Sequence, residues 1–176
     1  MGIKLHDYQT TIKSRATLHG FGVHSGKPVS ISFLPADPDT GIVFHHSNAA
    51  GEVREIRALV SEIGGTDLCT ALGGTGHHVA TVEHVMAALF GLGIDNLVIE
   101  TDGDEMPILD GSAAGFVEAI DQAGIETLDV KRRYIRVLKP VRIDSGASFA
   151  EFRPYEGTRF EVEIDFESPA IGRQSF

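Results

Sequence analysis

Residues 81–91 read TVEHVMAALFG, and the spacing of their apolar positions decides the fold class. At about 100° per residue, Val82, Val85, Met86 and Leu89 line one stripe with Phe90 at its margin, which predicts a helix from Thr81 to Phe90 whose stripe is core. Thr81 is the expected N-cap and Gly91 the expected stop. The opposite side carries His84 between Ala87 and Ala88, where a surface helix would place Lys or Glu, so cover is expected on both sides. Glu83 and His84 are then neighbours partly withdrawn from water, which is costly unless each finds a partner. Two arrangements meet that demand. A divalent metal can be held by the neutral imidazole while the unligated carboxylate takes a proton from metal-bound water. The other is a plain hydrogen-bonded core pair; one His is too few ligands for a zinc site, and the local pattern leaves both open.

Working outward, the stretches TIKSRATLHG and KPVSISFLP flank FGVHSG between Thr11 and Leu34, as in a hairpin with Gly20, Gly22 and Gly26 in its turn. Their spacing is not that of a nucleotide-binding GxGxxG loop. Strands are expected at Gly41–His46 and Glu52–Val60. His45 and His46 point to opposite faces and cannot readily share a metal. His77 and His78 match no established metal spacing and read as surface histidines in a loop. After the helix come a buried strand (Leu97–Glu100), the loop DGDEMPILDGS and a second helix from Ser112 to Ala123, stopped by Gly124. Asp102, Asp104 and Glu105 lack a calcium-loop register and read as a solvated acidic loop. YIRVLKPVRI, SFAEFRP and RFEVEIDF return to strands. The order predicts an α+β protein: residues 1–128 form a sandwich of mostly antiparallel sheet with two helices, and residues 129–176 are the leading strands of a second, similar, incomplete domain. The basic run Lys131-Arg132-Arg133 falls at that junction as a solvated linker.

The chain has 176 residues, 42% of them apolar, and a formal charge of −10. The charge argues against general nucleic-acid binding, which needs clustered Lys and Arg. No apolar run is long enough for a membrane helix and no secretory h-region opens the chain, so a cytoplasmic protein is expected. The single cysteine, Cys69, excludes an internal disulfide and a thiolate zinc finger, and reads as packing.

From Thr81 onward, TVEHVMAALFGLGIDNLVIE resembles the signature of the LpxC family of zinc-dependent deacetylases. The hairpin GFGVHSGKPV, the loop TDLCT at 66–70, EMPILDGSAAGF at 105–116 and the terminal AIGRQSF stand around it in family order. The resemblance implies a pair of α+β domains, each a sheet with two helices, with Zn2+ between them, acting on a UDP-linked acylated amino sugar. It makes His84 a zinc ligand and Glu83 the general base, and puts Leu68 and Cys69 near the substrate's path. Its other ligands, a His and an Asp of an HKxxD motif, belong to a C-terminal domain beyond Phe176. The chain alone is therefore expected neither to retain stoichiometric zinc nor to deacetylate. The alternative is a non-catalytic binding or scaffold domain of the same fold.

Overall fold

A computed structural model gives the structure and describes residues 7–48 and 50–176. The chain divides into His6–Arg132 and a second unit that takes in Arg133–Phe176. The first runs β1 (Tyr8–Ile12), β2 (Ala16–Phe21), β3 (Pro28–Pro35), β4 (Ile42–Ser47), β5 (Val53–Arg57), a 3-10 turn (Val60–Glu62), β6 (Ile63–Gly65), β7 (Ala71–Gly74), β8 (His77–Val79), α1 (Glu83–Leu92), β9 (Leu97–Thr101), α2 (Ala114–Ala123) and β10 (Ile125–Lys131). Its main sheet has the order β2-β3-β9-β4-β5, antiparallel except where β4 runs beside β9. The expected hairpin is β2-β3, with Phe21 opposite Pro28. The upstream stretch splits after Ile12, because β1 leaves this sheet to pair with β10. Strands β6, β7 and β8 form a small separate sheet.

One core joins the sheet to both helices. Phe33, Phe44, Leu97 and Ile99 from the sheet, Val85 and Leu89 from α1, and Phe116 and Ile120 from α2 are essentially inaccessible to water. Burying each such side chain contributes roughly 1.5–3 kcal/mol. This is the α+β sandwich that the pattern predicts. The helix limits differ from expectation. Helix α1 begins at Glu83 with Val82 at the cap position, and Gly93, at φ 73°, ends it instead of Gly91. Thr81 is no cap: its φ is +58° and its hydroxyl donates to Glu105. Ala88 is core, whereas Ala87, Phe90 and Gly91 are exposed, so among the described residues the cover expected on that side is incomplete.

The basic run also departs from a linker. Lys131 ends β10 opposite Tyr8. The Arg132 backbone N–H donates to the Asp7 carbonyl. Its guanidinium reaches the Gly93 carbonyl and lies 2.6 Å from the Asp95 carboxylate, with only 10% of the side chain exposed.

The second unit consists of two hairpins, β11 (Val141–Ser145) with β12 (Ser148–Phe152) and β13 (Glu163–Asp165) with β14 (Arg173–Ser175). YIRVLKPVRI yields a strand only after Pro140, whose ring blocks continuation of the ladder. RFEVEIDF contributes three residues, and its partner comes from the terminal AIGRQSF. No residue from Arg133 to Phe176 is buried.

Candidate functional site

Two segments bring chemistry to the start of α1. Glu83 is the helix's first residue, where the exposed N–H groups and the dipole favour a carboxylate. Its Oε2 accepts the Thr70 backbone N–H at 3.0 Å. The Val82 N–H donates to the Thr70 carbonyl at 3.2 Å, so the loop carrying Leu68 and Cys69 is tied to the helix by both polar groups of one peptide residue. Leu68 is 85% exposed at φ +59°, and Cys69 is half-buried, not packed away as expected. This loop therefore borders Glu83, a proximity that sequence distance gives no hint of.

His84 follows Glu83 on the helix surface, half-buried, and its imidazole has no hydrogen-bond partner among the described residues. A lone imidazole with free ring nitrogens beside a carboxylate held through one oxygen has the right donor chemistry for one zinc ligand and one proton acceptor. It does not close a site. Among the described residues no group of three His, Cys, Asp or Glu side chains stands where it could hold a metal ion. The core-pair alternative is not what the structure shows, since Glu83 bonds the Thr70 amide and not His84.

The other histidines divide differently from expectation. His45 faces outward near Glu55, while His46 is fully buried, as the strand alternation requires. His77 and His78 lie in strand β8 and are half-buried, which corrects their reading as surface loop histidines. His46 Nε2 lies 2.8 Å from Asp104 Oδ1 and its Nδ1 lies 3.2 Å from Nδ1 of His77. A carboxylate only accepts, so His46 donates from Nε2, and a neutral His46 then accepts at Nδ1 from His77, whose Nε2 in turn faces the Asn48 amide at 3.4 Å. Every ring nitrogen of this pair is engaged, which leaves no lone pair for a metal.

The acidic loop is likewise not simply solvated. Glu105 is only 6% exposed, and its carboxylate accepts the N–H of His24 at 2.9 Å, the N–H of Ser25 at 2.8 Å and the Thr81 hydroxyl at 3.3 Å. Burial alone would raise its pKa, but the His24 and Ser25 donors outweigh that and hold it below the ordinary value of 4.5. Sequence reasoning missed Glu105 and Thr70 as members of the site. The glycines around His24 were the available signal, because close backbone approach demands them.

The family of UDP-3-O-acyl N-acetylglycosamine deacetylases, LpxC, matches residues 9–176. Over 172 residues the chain is 57% identical to the UDP-3-O-acyl-N-acetylglucosamine deacetylases of Brucella ovis and Brucella canis. It is 56% identical to that of Brucella melitensis biotype 2. Each comparison covers 98% of this chain and 60% of the relative, so the chain spans 60% of the length of the curated relatives it matches.

Proposed function

We propose, on the premise that the chain belongs to the LpxC family, that its His6–Arg132 unit supplies the base and one zinc ligand of a deacetylase acting on UDP-3-O-acyl-N-acetylglucosamine. The reaction adds water across the amide of the N-acetyl group: a C–O bond forms, the C–N bond breaks, and acetate and the free amino sugar leave. His84 would hold Zn2+, with the remaining ligands outside residues 1–176. When bound, zinc acidifies a water and polarises the amide carbonyl.

Glu83 does the proton work. With Oε2 occupied by the Thr70 amide, its orientation is fixed and Oε1 is left to accept a proton from the attacking water. The same carboxyl can return that proton to the amine nitrogen as the C–N bond breaks, which balances the reaction without another acid. Leu68 and Cys69, on the loop whose next residue holds Glu83, border the approach to the base, and the exposed Leu68 side chain offers apolar contact to an acylated substrate. The residues of the second unit take no proton in this scheme.

The observation that carries the proposal is the Glu83 carboxylate held by Thr70 at the head of α1, with the His84 imidazole, unpartnered among the described residues, next to it. The test is turnover by the complete, zinc-loaded polypeptide. Glu83→Ala is expected to lower kcat by about 10²–10⁴, and undiminished release of acetate would remove Glu83 from the mechanism. Residues 1–176 alone are expected to retain less than one zinc per chain, read by metal analysis after dialysis, since a single imidazole does not hold the ion tightly.

A further inference from the structure

We propose that Glu105 is a positioning residue for this site, fixing the left-handed turn at Thr81 that launches α1 and seating the Gly22–Ser25 turn against it. The inference rests on the deacetylase reading for its kinetic consequence, and on geometry alone for its structural one.

Thr81 is the anomaly that calls for an explanation. A β-branched residue at φ +58° is a genuine backbone outlier that persists only when its surroundings over-determine it. It lies two residues before Glu83. The surroundings that hold it are specific. Ala80 donates its N–H to the Asp104 carbonyl at 2.8 Å and accepts the Met106 N–H at 2.9 Å, so Glu105 is laced to the residue before Thr81 by backbone bonds on both sides. The Glu105 carboxylate then takes the Thr81 hydroxyl. On the far side of Thr81, the Val82 N–H is held by Thr70, the residue whose own N–H holds Glu83. The strained turn is thus clamped from both ends, and the clamp sets the angle at which the first turn of α1 presents Glu83 and His84.

The other two donors to Glu105 come from the hairpin turn. Consecutive N–H groups of His24 and Ser25 converge on the two carboxylate oxygens, a backbone concavity suited to an anion. Gly22 is part of the same fit: a Cβ placed there would stand 2.2 Å from Glu105 Oε2 and 2.5 Å from its Cδ. Only glycine lets the carboxylate in. One side chain therefore ties together the β2-β3 turn, the loop after β9 and the entry to α1, three segments far apart in sequence. A glutamine cannot replace it, because in either orientation its amide nitrogen would face a backbone N–H, that of His24 or of Ser25.

Two variants in the complete, zinc-loaded polypeptide test this. Glu105→Gln removes the clamp, and Thr81→Val removes only its bond to the helix entry while leaving the turn seated, which keeps the test open should Glu105→Gln unfold the chain. By amide NMR, both variants are expected to shift the Thr70 N–H resonance, which reports the orientation of Glu83, whereas a control at exposed Glu118 leaves it in place. In acetate release, Thr81→Val is expected to lower kcat about 10- to 100-fold through misplacement of the base, with KM little changed, and Thr81→Ser, which keeps the hydroxyl, is expected to restore it. A Thr70 resonance unmoved in a folded variant overturns the positioning role, as does a Thr81→Val enzyme with wild-type kcat. A wild-type enzyme that releases no acetate strikes instead at the deacetylase reading, and the resonance alone then judges Glu105.

Discussion

The two units of this chain use similar raw material to different effect. In His6–Arg132 the apolar positions of strand and helix meet in one core, so that Phe33, Phe44 and Phe116 lose all contact with water. In Arg133–Phe176 the strands alternate as regularly, yet Phe149, Phe152 and Phe160 remain at least 60% exposed. The difference is not in strand propensity. Helices α1 and α2 supply the first unit with a second layer, whereas residues 133–176 contain no helix to supply one. The candidate site follows the same division: Glu83, the His84 imidazole and the Glu105 carboxylate all sit where a packed core makes side-chain positions reproducible.

That contrast can be broken most severely at an aromatic residue. Phe33→Ala is expected to destabilise the first unit by about 3–5 kcal/mol, whereas Phe152→Ala, in the β11-β12 hairpin, should stay within about 0.5 kcal/mol. Urea unfolding of the two variants measures both, and comparable losses would mean that the hairpin face is packed in solution. Ion pairs sharpen the comparison on a smaller scale. Arg132→Ala removes charge-assisted bonds to Asp95 and Gly93 from a nearly buried side chain and is expected to lower stability by about 1.5–3 kcal/mol. Arg173→Ala breaks the exposed pair with Glu163, 2.7 Å apart, and should change stability far less than Arg132→Ala, because water and salt screen the pair.

The subtlest contrast is between two carboxylates, each held below its ordinary pKa. In Glu105 the lowering survives burial because His24 and Ser25 donate to the charged form. In Glu163 it comes first from the Arg173 hydrogen bond. A depressed folded pKa stabilises the protein fully above the unfolded value, and that contribution is lost as the pH falls through the folded one. For Glu105 the loss therefore begins below about pH 4.5. Carboxyl titrations followed by NMR should show molar salt returning Glu163 toward its ordinary value while leaving Glu105 low, since salt screens exposed ions and not backbone donors inside the fold. Equal salt sensitivity would place Glu105 in solvent.

Much of this was legible along the chain. The 3.6-residue spacing of Val82, Val85 and Leu89 gives a buried helix face, Gly124 stops α2 as expected, and strand alternation separates half-buried His45 from fully buried His46. The misreadings share one cause. Thr81 has the residue type of an N-cap but turns left-handed; His77 looks like a loop histidine but bonds His46; Arg132 looks like a linker but latches onto Asp95; Glu105 looks solvated but holds three donors. In each case a polar group's partner lies between roughly 24 and 80 positions away along the chain, and local pattern carries no information about such pairings.

By itself, then, the sequence determined the periodic elements, the sides on which their apolar groups lie, and the adjacency of Glu83 to His84 on one helix. Tertiary structure alone decided which carboxylates are anchored, which imidazoles are paired, and where the backbone accepts strain. Hydrophobic burial follows local spacing because it is non-directional, whereas hydrogen bonds are directional and short-ranged, so they are settled only when distant segments have been folded into contact.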